Sequence, residues 1–284
     1  MPKHIPAFDN NNQPIVEEGN SVVPLVYFNR VVLAPGQSHE YRLAKHESCV
    51  VPVSGSCTVT VGDSNFEKVG ERGDLWEGLP NGVYVPVDSA CTITASAGAK
   101  EPMEIFIAGG IYEEKLEPFA IRNEDVDLVQ YGSDDTKTHR KIKHILGQAN
   151  ADKRGRLLVS ELFTVGAGGW SGFPPHKHDT ERAPVETRYE EVYNFRFNPG
   201  HGFGCQFDYL EDGGMGEPHH IKNGSTYMID YGYHPCVAAP GYEMYYFTII
   251  VGESSKSLIQ FFEPTHEYRV ETIPGIKDMV AKFK

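Results

Sequence analysis

Three histidines and one glutamate in the second half of the 284-residue chain have the types and spacing of a metal site. His176 and His178 stand two residues apart, so on a β-strand both imidazoles face the same side, about 6.5–7 Å apart along the chain. Glu191 shares the parity of the bulky Tyr193 and is expected to face an interior, where a carboxylate needs a partner or a metal. His234 follows in a Gly-Tyr-His-Pro turn. Three imidazoles and one carboxylate leave one or two positions open on a six-coordinate ion, which is typical of a catalytic site.

Each of these signals taken alone has an ordinary explanation. A His-x-His pair is often two surface histidines, a glutamate at the start of a strand is usually solvated, and a histidine in a turn can be hydrogen-bonded locally. Their occurrence together, in this order and inside an aromatic-rich β segment, favours one bound divalent metal ion. Mixed nitrogen and oxygen ligands suit Zn, Mn, Fe, Co and Ni alike, so the identity of the ion stays open.

The elements that must position these residues are short β-strands. The chain has 29 Gly and 19 Pro residues, which separate many short runs of alternating or continuous apolar character. No long helical pattern lies between these runs, so the sequence predicts an all-β protein built from sandwiches or barrels. The two halves resemble each other in the order of their turns and strands, which favours a duplicated double-stranded barrel. We expect a first unit over residues 1–120, a polar connector with a short helix over 121–150, and a metal-binding unit over 151–284.

The amino-acid composition limits which molecules the protein can bind and where in the cell it is expected. Hydrophobic residues make up 40% of the chain, enough for a core, and the net charge of −13 opposes general binding of nucleic acids or anionic membranes. The apolar stretch at residues 245–251 has the length of a strand rather than of a membrane span. Five cysteines without a CxxC pattern indicate reduced thiols, and the first residues lack the apolar segment of a secretory signal. We therefore expect a cytoplasmic protein.

Long segments of the chain resemble one family. The pattern HKH…E…GYH is similar to the metal motifs of the cupin superfamily, and the fuller string closely resembles the 5-deoxy-glucuronate isomerases of bacterial myo-inositol catabolism. The matching segments include SELFTVGAGGWSGFPPHKHD (160–179), EEVYNFRFNPGHGFGCQFDYLEDG (190–213) and GYHPCVAAPGYEMYYFTIIVGE (232–253). The chain departs from the pattern at Asp230, where cupins usually carry a proline, and at Phe207, where this family often has a basic residue.

This resemblance implies a bicupin fold, with two double-stranded β-helix (jelly-roll) barrels. It also implies the isomerisation of 5-deoxy-glucuronate, a small sugar acid, to 5-dehydro-2-deoxy-gluconate. The implied ligands of one divalent metal ion are His176, His178, Glu191 and His234. The first half lacks this metal pattern, so we expect it to be a structural or dimerising partner within a homo-oligomer.

An aldose–ketose isomerase moves hydrogen between C2 and C1, so a base is needed beside the metal. The candidates for this base are Glu190, Tyr193, Tyr246 and a metal-bound hydroxide. Gln206 is a candidate for binding a sugar hydroxyl, and Arg182 or Arg188 for binding the substrate carboxylate as a bidentate pair. The loop over residues 179–190 is long enough to act as a mobile lid.

Two other functions stay open from the sequence. A bicupin metal dioxygenase would also use histidine and glutamate ligands with open positions, and oxygen consumption would reveal it. A non-catalytic sugar-acid-binding bicupin, such as a sensor, is the alternative from a different class. A sensor normally carries a helix-turn-helix partner, and the sequence shows no such helical pair.

Overall fold

The chain folds almost entirely into β-strands. A computed structural model describes residues 3–211 and 214–282. These described residues form 22 strands, one α-helix and three short 3-10 turns. No helix among them is long and apolar enough to cross a membrane. The all-β prediction is confirmed.

The first half of the chain contributes ten strands. They are β1 (His4–Ile5), β2 (Pro14–Val16), β3 (Val26–Leu33), β4 (Ser38–Tyr41), β5 (His46–Val61), β6 (Ser64–Arg72), β7 (Gly82–Val85), β8 (Cys91–Ala95), β9 (Met103–Ile111) and β10 (Phe119–Ile121). One antiparallel layer has the order β10-β7-β5-β9-β3-β2, and β4, β6 and β8 form the opposing layer. The long strand β5 serves both layers. It changes register at Gly55, whose φ of +80° suits glycine and whose added Cβ would lie 2.7 Å from Met103 Cβ.

The second half contributes twelve strands and the helix. The strands are β11 (Asp127–Tyr131), β12 (Arg140–Leu146), β13 (Leu157–Thr164), β14 (Trp170–Ser171), β15 (His176–Lys177), β16 (Tyr189–Asn198), β17 (Phe203–Asp208), β18 (Glu217–Lys222), β19 (Thr226–Ile229), β20 (Cys236–Ala238), β21 (Glu243–Gly252) and β22 (Phe261–Phe262). The 3-10 turns span Asn123–Asp125, Gln148–Asn150 and Glu267–Glu271, and helix α1 spans Ile276–Ala281. A seven-stranded layer, β1-β19-β16-β21-β13-β12-β11, faces a four-stranded layer, β14-β20-β17-β18, and β15 pairs separately with β22.

The segment expected to be a connector with a short helix is part of the second barrel. Strands β11 and β12 pair with each other, and β12 continues the sheet by pairing with β13. The polar residues of this stretch alternate with Val129, Tyr131, Ile142 and Leu146, all of which are buried, so the stretch fits a half-buried hairpin. The prediction of a connector with a short helix over residues 121–150 is therefore wrong. The described residues of this stretch form two strands of the sheet, and only short 3-10 turns flank them.

Each barrel has a core of its own, and a further hydrophobic cluster joins the two halves. Between the barrels, the ring of Phe106 lies 5.5 Å from Phe28 and 5.0 Å from Phe247 of the second half. A buried ion pair also crosses the boundary, with Arg72 Nη1 donating to Glu161 Oε2 at 2.9 Å. Strand β1, from the start of the chain, pairs with β19 of the second barrel. The predicted boundary near residue 120 therefore separates two barrels that are packed and hydrogen-bonded to each other.

Candidate metal centre and its cavity

The three predicted histidines lie together inside the second barrel. One ligand atom from each of His176, His178 and His234 lies within 4.8 Å of the others. His176 is fixed by the pairing of β15 with β22, opposite Phe262, and His234 follows the turn after β19. The alternation expected for a strand therefore holds for the His-x-His pair, and the chain fold supplies the third imidazole.

Every imidazole is oriented by its own backbone contact. Nδ1 of His176, His178 and His234 lies within hydrogen-bond distance of the carbonyl oxygens of Pro174 (3.3 Å), Tyr189 (3.1 Å) and Gly232 (2.9 Å), respectively. A carbonyl can only accept, so each Nδ1 donates and carries the proton. In a neutral ring this leaves the Nε2 lone pair free, which is the tautomer that binds a metal.

Glu191 completes the cluster from β16. Its Oε2 lies 3.2 Å from His178 Nε2 and 3.4 Å from His234 Nε2. Burial would raise the pKa of Glu191, but its contacts with these two imidazoles lower that pKa to about 2. Burial and the neighbouring His234 and His178 rings lower the pKa of His176 well below its usual range, which keeps that ring neutral.

This donor set fits a divalent metal ion. Three imidazole ligand atoms lie within 4.8 Å of one another, and a carboxylate oxygen lies beside two of the rings, which is the mixture of nitrogen and oxygen donors that suits a divalent cation. His234 is 1% exposed, and its Nε2 has no hydrogen-bond partner among the described residues. A buried nitrogen without a hydrogen-bond partner destabilises the folded protein, and coordination of a metal ion would satisfy it. His176, His178, Glu191 and His234 are the residues that could hold the ion.

A small cavity of about 40 Å³ lies beside the cluster, with room for about three water molecules. Its polar lining comes mainly from β11, β12, β16 and β21, and its cover comes from the C-terminal segment. The covering residues are Leu258, Gln260, Phe262, Ile276 and Met279. Gln260 Nε2 lies 2.9 Å from His176 Nε2 and donates to its lone pair, so this hydrogen bond would have to be released for His176 to bind a metal ion; Gln260 Oε1 is buried and has no partner among the described residues. The C-terminal segment therefore partly covers the cavity.

Two predicted tyrosines line this cavity. Tyr246 of β21 and Tyr193 of β16 have ring centroids 4.4 Å apart, and the Tyr193 ring lies 6.3 Å from that of His234. The Tyr246 hydroxyl accepts a hydrogen bond from Arg140 Nη2 at 2.7 Å and also contacts Ser171 Oγ. Burial raises the pKa of both phenols, so both stay protonated at neutral pH.

Glu190 does not belong to the site. It precedes Glu191 in β16, so its side chain points to the opposite face of the sheet. There its carboxylate accepts a hydrogen bond from the backbone N–H of Leu25 in the first half, at 2.8 Å. The prediction of Glu190 as a base beside the metal is therefore wrong.

The predicted substrate-binding residues also lie outside the cavity. Gln206 is fully buried, and its Nε2 donates to the His234 carbonyl at 2.8 Å, so it supports the turn that carries His234. The Arg182 side chain is 41% exposed and pairs with Glu186, with Nη2 and Oε2 2.7 Å apart. Arg188 pairs with Glu253 at 3.2 Å on the surface. None of the three predicted contacts with substrate is supported by these positions.

The loop expected to be a lid is anchored instead. Glu186, with no exposed surface, accepts hydrogen bonds from the backbone N–H groups of Asp179 (2.8 Å) and Thr180 (3.1 Å). The same carboxylate accepts from Lys177 Nζ at 3.0 Å. One buried carboxylate thus ties both arms of the loop together, and the C-terminal segment takes the covering role.

Sequence reasoning missed two residues of the cavity. Arg140 lies on β12, where Arg140, Ile142 and His144 share one face of the strand. That alternation was visible in the sequence, but the stretch was assigned to a connector. Gln260 precedes a two-residue strand in the tail, and no local pattern marks it.

Comparisons with known proteins identify the family to which the chain belongs. The profile described as the KduI/IolB family matches residues 3–269. A 5-deoxy-glucuronate isomerase from Bacillus subtilis subsp. natto is 34% identical over 90% of this chain and 92% of that protein. The crystal structure of an IolB-like protein from Salmonella typhimurium superposes with a TM-score of 0.81 and 27% identity, covering 94% of this chain and 99% of that one. An oxalate decarboxylase variant from Bacillus subtilis shares the fold alone, with a TM-score of 0.62 and 12% identity over the whole of this chain and 86% of that one. The expected bicupin architecture is confirmed.

Proposed function

Because the chain belongs to the KduI/IolB family, we propose that it is a metal-dependent aldose–ketose isomerase that converts 5-deoxy-glucuronate to 5-dehydro-2-deoxy-gluconate in inositol catabolism. The observation that carries this proposal is the cluster of three buried imidazoles with the Glu191 carboxylate beside two of them, at the wall of a tyrosine-lined cavity. An open coordination position next to protonated phenols suits a reaction that moves protons between adjacent carbon and oxygen atoms.

One divalent ion held by His176, His178, Glu191 and His234 would act as a Lewis acid toward the oxygens on C1 and C2 of the sugar. It is proposed as one ion per chain, and the donor set is compatible with Zn, Mn, Fe, Co or Ni.

The reaction moves the C2 hydrogen to C1 as a proton, which a base takes up and gives back, and it moves the hydroxyl proton from O2 to O1. With Glu190 outside the site, the metal would supply this base by lowering the pKa of a bound water. Tyr246 is the proposed carrier of the proton between the two oxygens, since its phenol stays protonated and lines the cavity. Tyr193 is proposed to donate a hydrogen bond beside it, because its ring lies between Tyr246 and His234. Both roles use the phenols as acids and relays, and neither requires a phenolate.

The tail over residues 258–279 covers the cavity, which has room for only about three water molecules. We propose that this segment moves outward to widen the cavity when a six-carbon acid enters. Once the segment closes again, it excludes bulk water from the reacting atoms.

We further propose a cytoplasmic location and a homo-oligomer. All five cysteines are free, and four of them are buried, in keeping with reduced thiols. Strand β18 ends the four-stranded layer and leaves one edge unpaired, the kind of edge that a second copy often covers.

The test is a coupled assay on 5-deoxy-glucuronate, with elemental analysis of the same sample. We expect formation of the ketose acid, loss of activity after chelation, and its return on adding one metal. Oxygen consumption in place of isomerisation would instead indicate the dioxygenase alternative.

A further inference from the structure

Arg140 is a buried cation at the wall of the cavity. It is 4% exposed and lines the same cavity as His176, His178 and Glu191. Nη1 donates to the Tyr131 hydroxyl at 3.0 Å and Nη2 to the Tyr246 hydroxyl at 2.7 Å, while Nε has no acceptor within the described part of the chain. A guanidinium has five N–H donors, so its donor capacity is only partly used.

The charges of the other buried arginines are compensated by carboxylates or by backbone carbonyls. Arg72 forms a bidentate pair with Glu161, and Arg196 pairs with Glu104 at 2.9 Å. Arg154 donates to three backbone carbonyls. The partners of Arg140 are two neutral phenols, and no carboxylate of the described residues lies within 4.0 Å of it. A buried charge left in this state costs free energy unless an anion arrives to compensate it.

We infer that Arg140 binds the carboxylate of the sugar acid and sets the preference of the site for acids. This inference rests on the proposed function. Nε–H and an unused Nη hydrogen form the planar fork that matches a carboxylate. An Nη hydrogen can stay on Tyr246, so the residue that binds the carboxylate also holds the phenol proposed to relay the proton.

The order of groups along the cavity fits the substrate. Arg140 contacts Tyr246, the Tyr246 ring lies 4.4 Å from Tyr193, and the Tyr193 ring lies 6.3 Å from His234. In 5-deoxy-glucuronate the carboxylate and the reacting C1 and C2 stand at opposite ends of the carbon chain. With the carboxylate at Arg140, the carbon chain runs past the two tyrosines and brings C1 and C2 toward the imidazole cluster.

The test compares binding of an acid with binding of its neutral amide. The probe is the acid made by reducing the C1 aldehyde of 5-deoxy-glucuronate to an alcohol, which cannot isomerise, and the second ligand is its primary amide. Calorimetry on the metal-loaded protein is expected to show that the wild type prefers the acid by about 100-fold, and that Arg140→Gln lowers only the affinity for the acid, by about the same factor. The surface variant Arg182→Gln is the matched control and is expected to keep the preference.

An unchanged preference for the acid in Arg140→Gln would overturn the inference, and so would an equal loss of affinity for acid and amide, which indicates a structural role. If Arg140→Gln fails to fold, the same comparison of acid and amide binding is made with Arg140→Lys. Lysine keeps the charge but lacks the planar fork of the guanidinium. A loss of acid preference of about tenfold supports the inference, while full preference overturns it.

Isomerase activity of the wild type is measured in parallel. An inactive wild type that still prefers the acid through Arg140 overturns the proposed function and leaves this inference standing.

Discussion

Replacing Tyr246 by phenylalanine removes one oxygen from the cavity wall and leaves the proposed metal ligands in place. The hydroxyl is buried and accepts a 2.7 Å hydrogen bond from the Arg140 guanidinium. A hydrogen bond to a charged group contributes about 1.5–3 kcal/mol, and loss of a proton relay typically lowers the rate by about 10²–10⁴-fold. We therefore expect kcat to fall by about 100-fold or more in Tyr246→Phe, with the metal content unchanged because Tyr246 is not a ligand.

The neighbouring tyrosine provides a matched control on the same strand. Tyr245 is equally buried but faces the interface between the barrels, where its hydroxyl donates to Glu161 Oε1 at 3.1 Å. Tyr245→Phe removes the same atom from the opposite face of β21, so we expect a loss of stability of about 1.5–3 kcal/mol and a kcat within about twofold of the wild type.

The assay measures initial rates of isomerisation with saturating 5-deoxy-glucuronate, together with elemental analysis and thermal unfolding of each variant. A Tyr246→Phe enzyme with full kcat would refute the relay. Equal losses of kcat in both variants would show that a general disturbance of β21, rather than the missing phenol, lowers the rate.

Five further outcomes are expected. His176→Ala and His234→Ala should each lose most of the single metal ion per chain, and elemental analysis showing full occupancy in both would contradict the ligand set. Isomerisation in deuterated water should place deuterium at C1 of the ketose, because a proton passed through an acid or base exchanges with solvent; an unlabelled product would indicate a hydride shift. Glu190→Gln should leave kcat within about twofold of the wild type, since the Glu190 carboxylate accepts from Leu25 on the far face. Burial raises the pKa of Glu190 to about 7, so its stabilising contribution is present below its unfolded pKa and is lost as pH rises through about 7. Glu190→Gln should weaken this pH dependence in denaturant unfolding, and identical pH profiles would contradict it. Sedimentation at micromolar concentration should show a dimer or larger species, and a species of 31.6 kDa would exclude the proposed oligomer.

The sequence by itself determined the groups that depend on local spacing. A strand places residues two apart on one face, so His176 and His178 had to point together, and Glu191 had to point inward with Tyr193. The same alternation turns Glu190 outward. Frequent Gly and Pro residues without a long helical pattern were enough to predict two β units, because those residues end strands by local backbone geometry.

Only the tertiary structure decided which basic side chain lines the cavity and which segment of the chain covers it. Arg182 and Arg188 are close to the histidines in sequence, yet acidic neighbours hold both away from the cavity. Arg140 is far from the histidines in sequence and reaches the cavity because β12 pairs with β13, which in turn pairs with β21 beside Tyr246. Gln260 reaches His176 because β22 pairs with β15. These contacts depend on the order in which strands pair across the barrel, and that order is set by the burial of the whole core rather than by the residues next to each side chain.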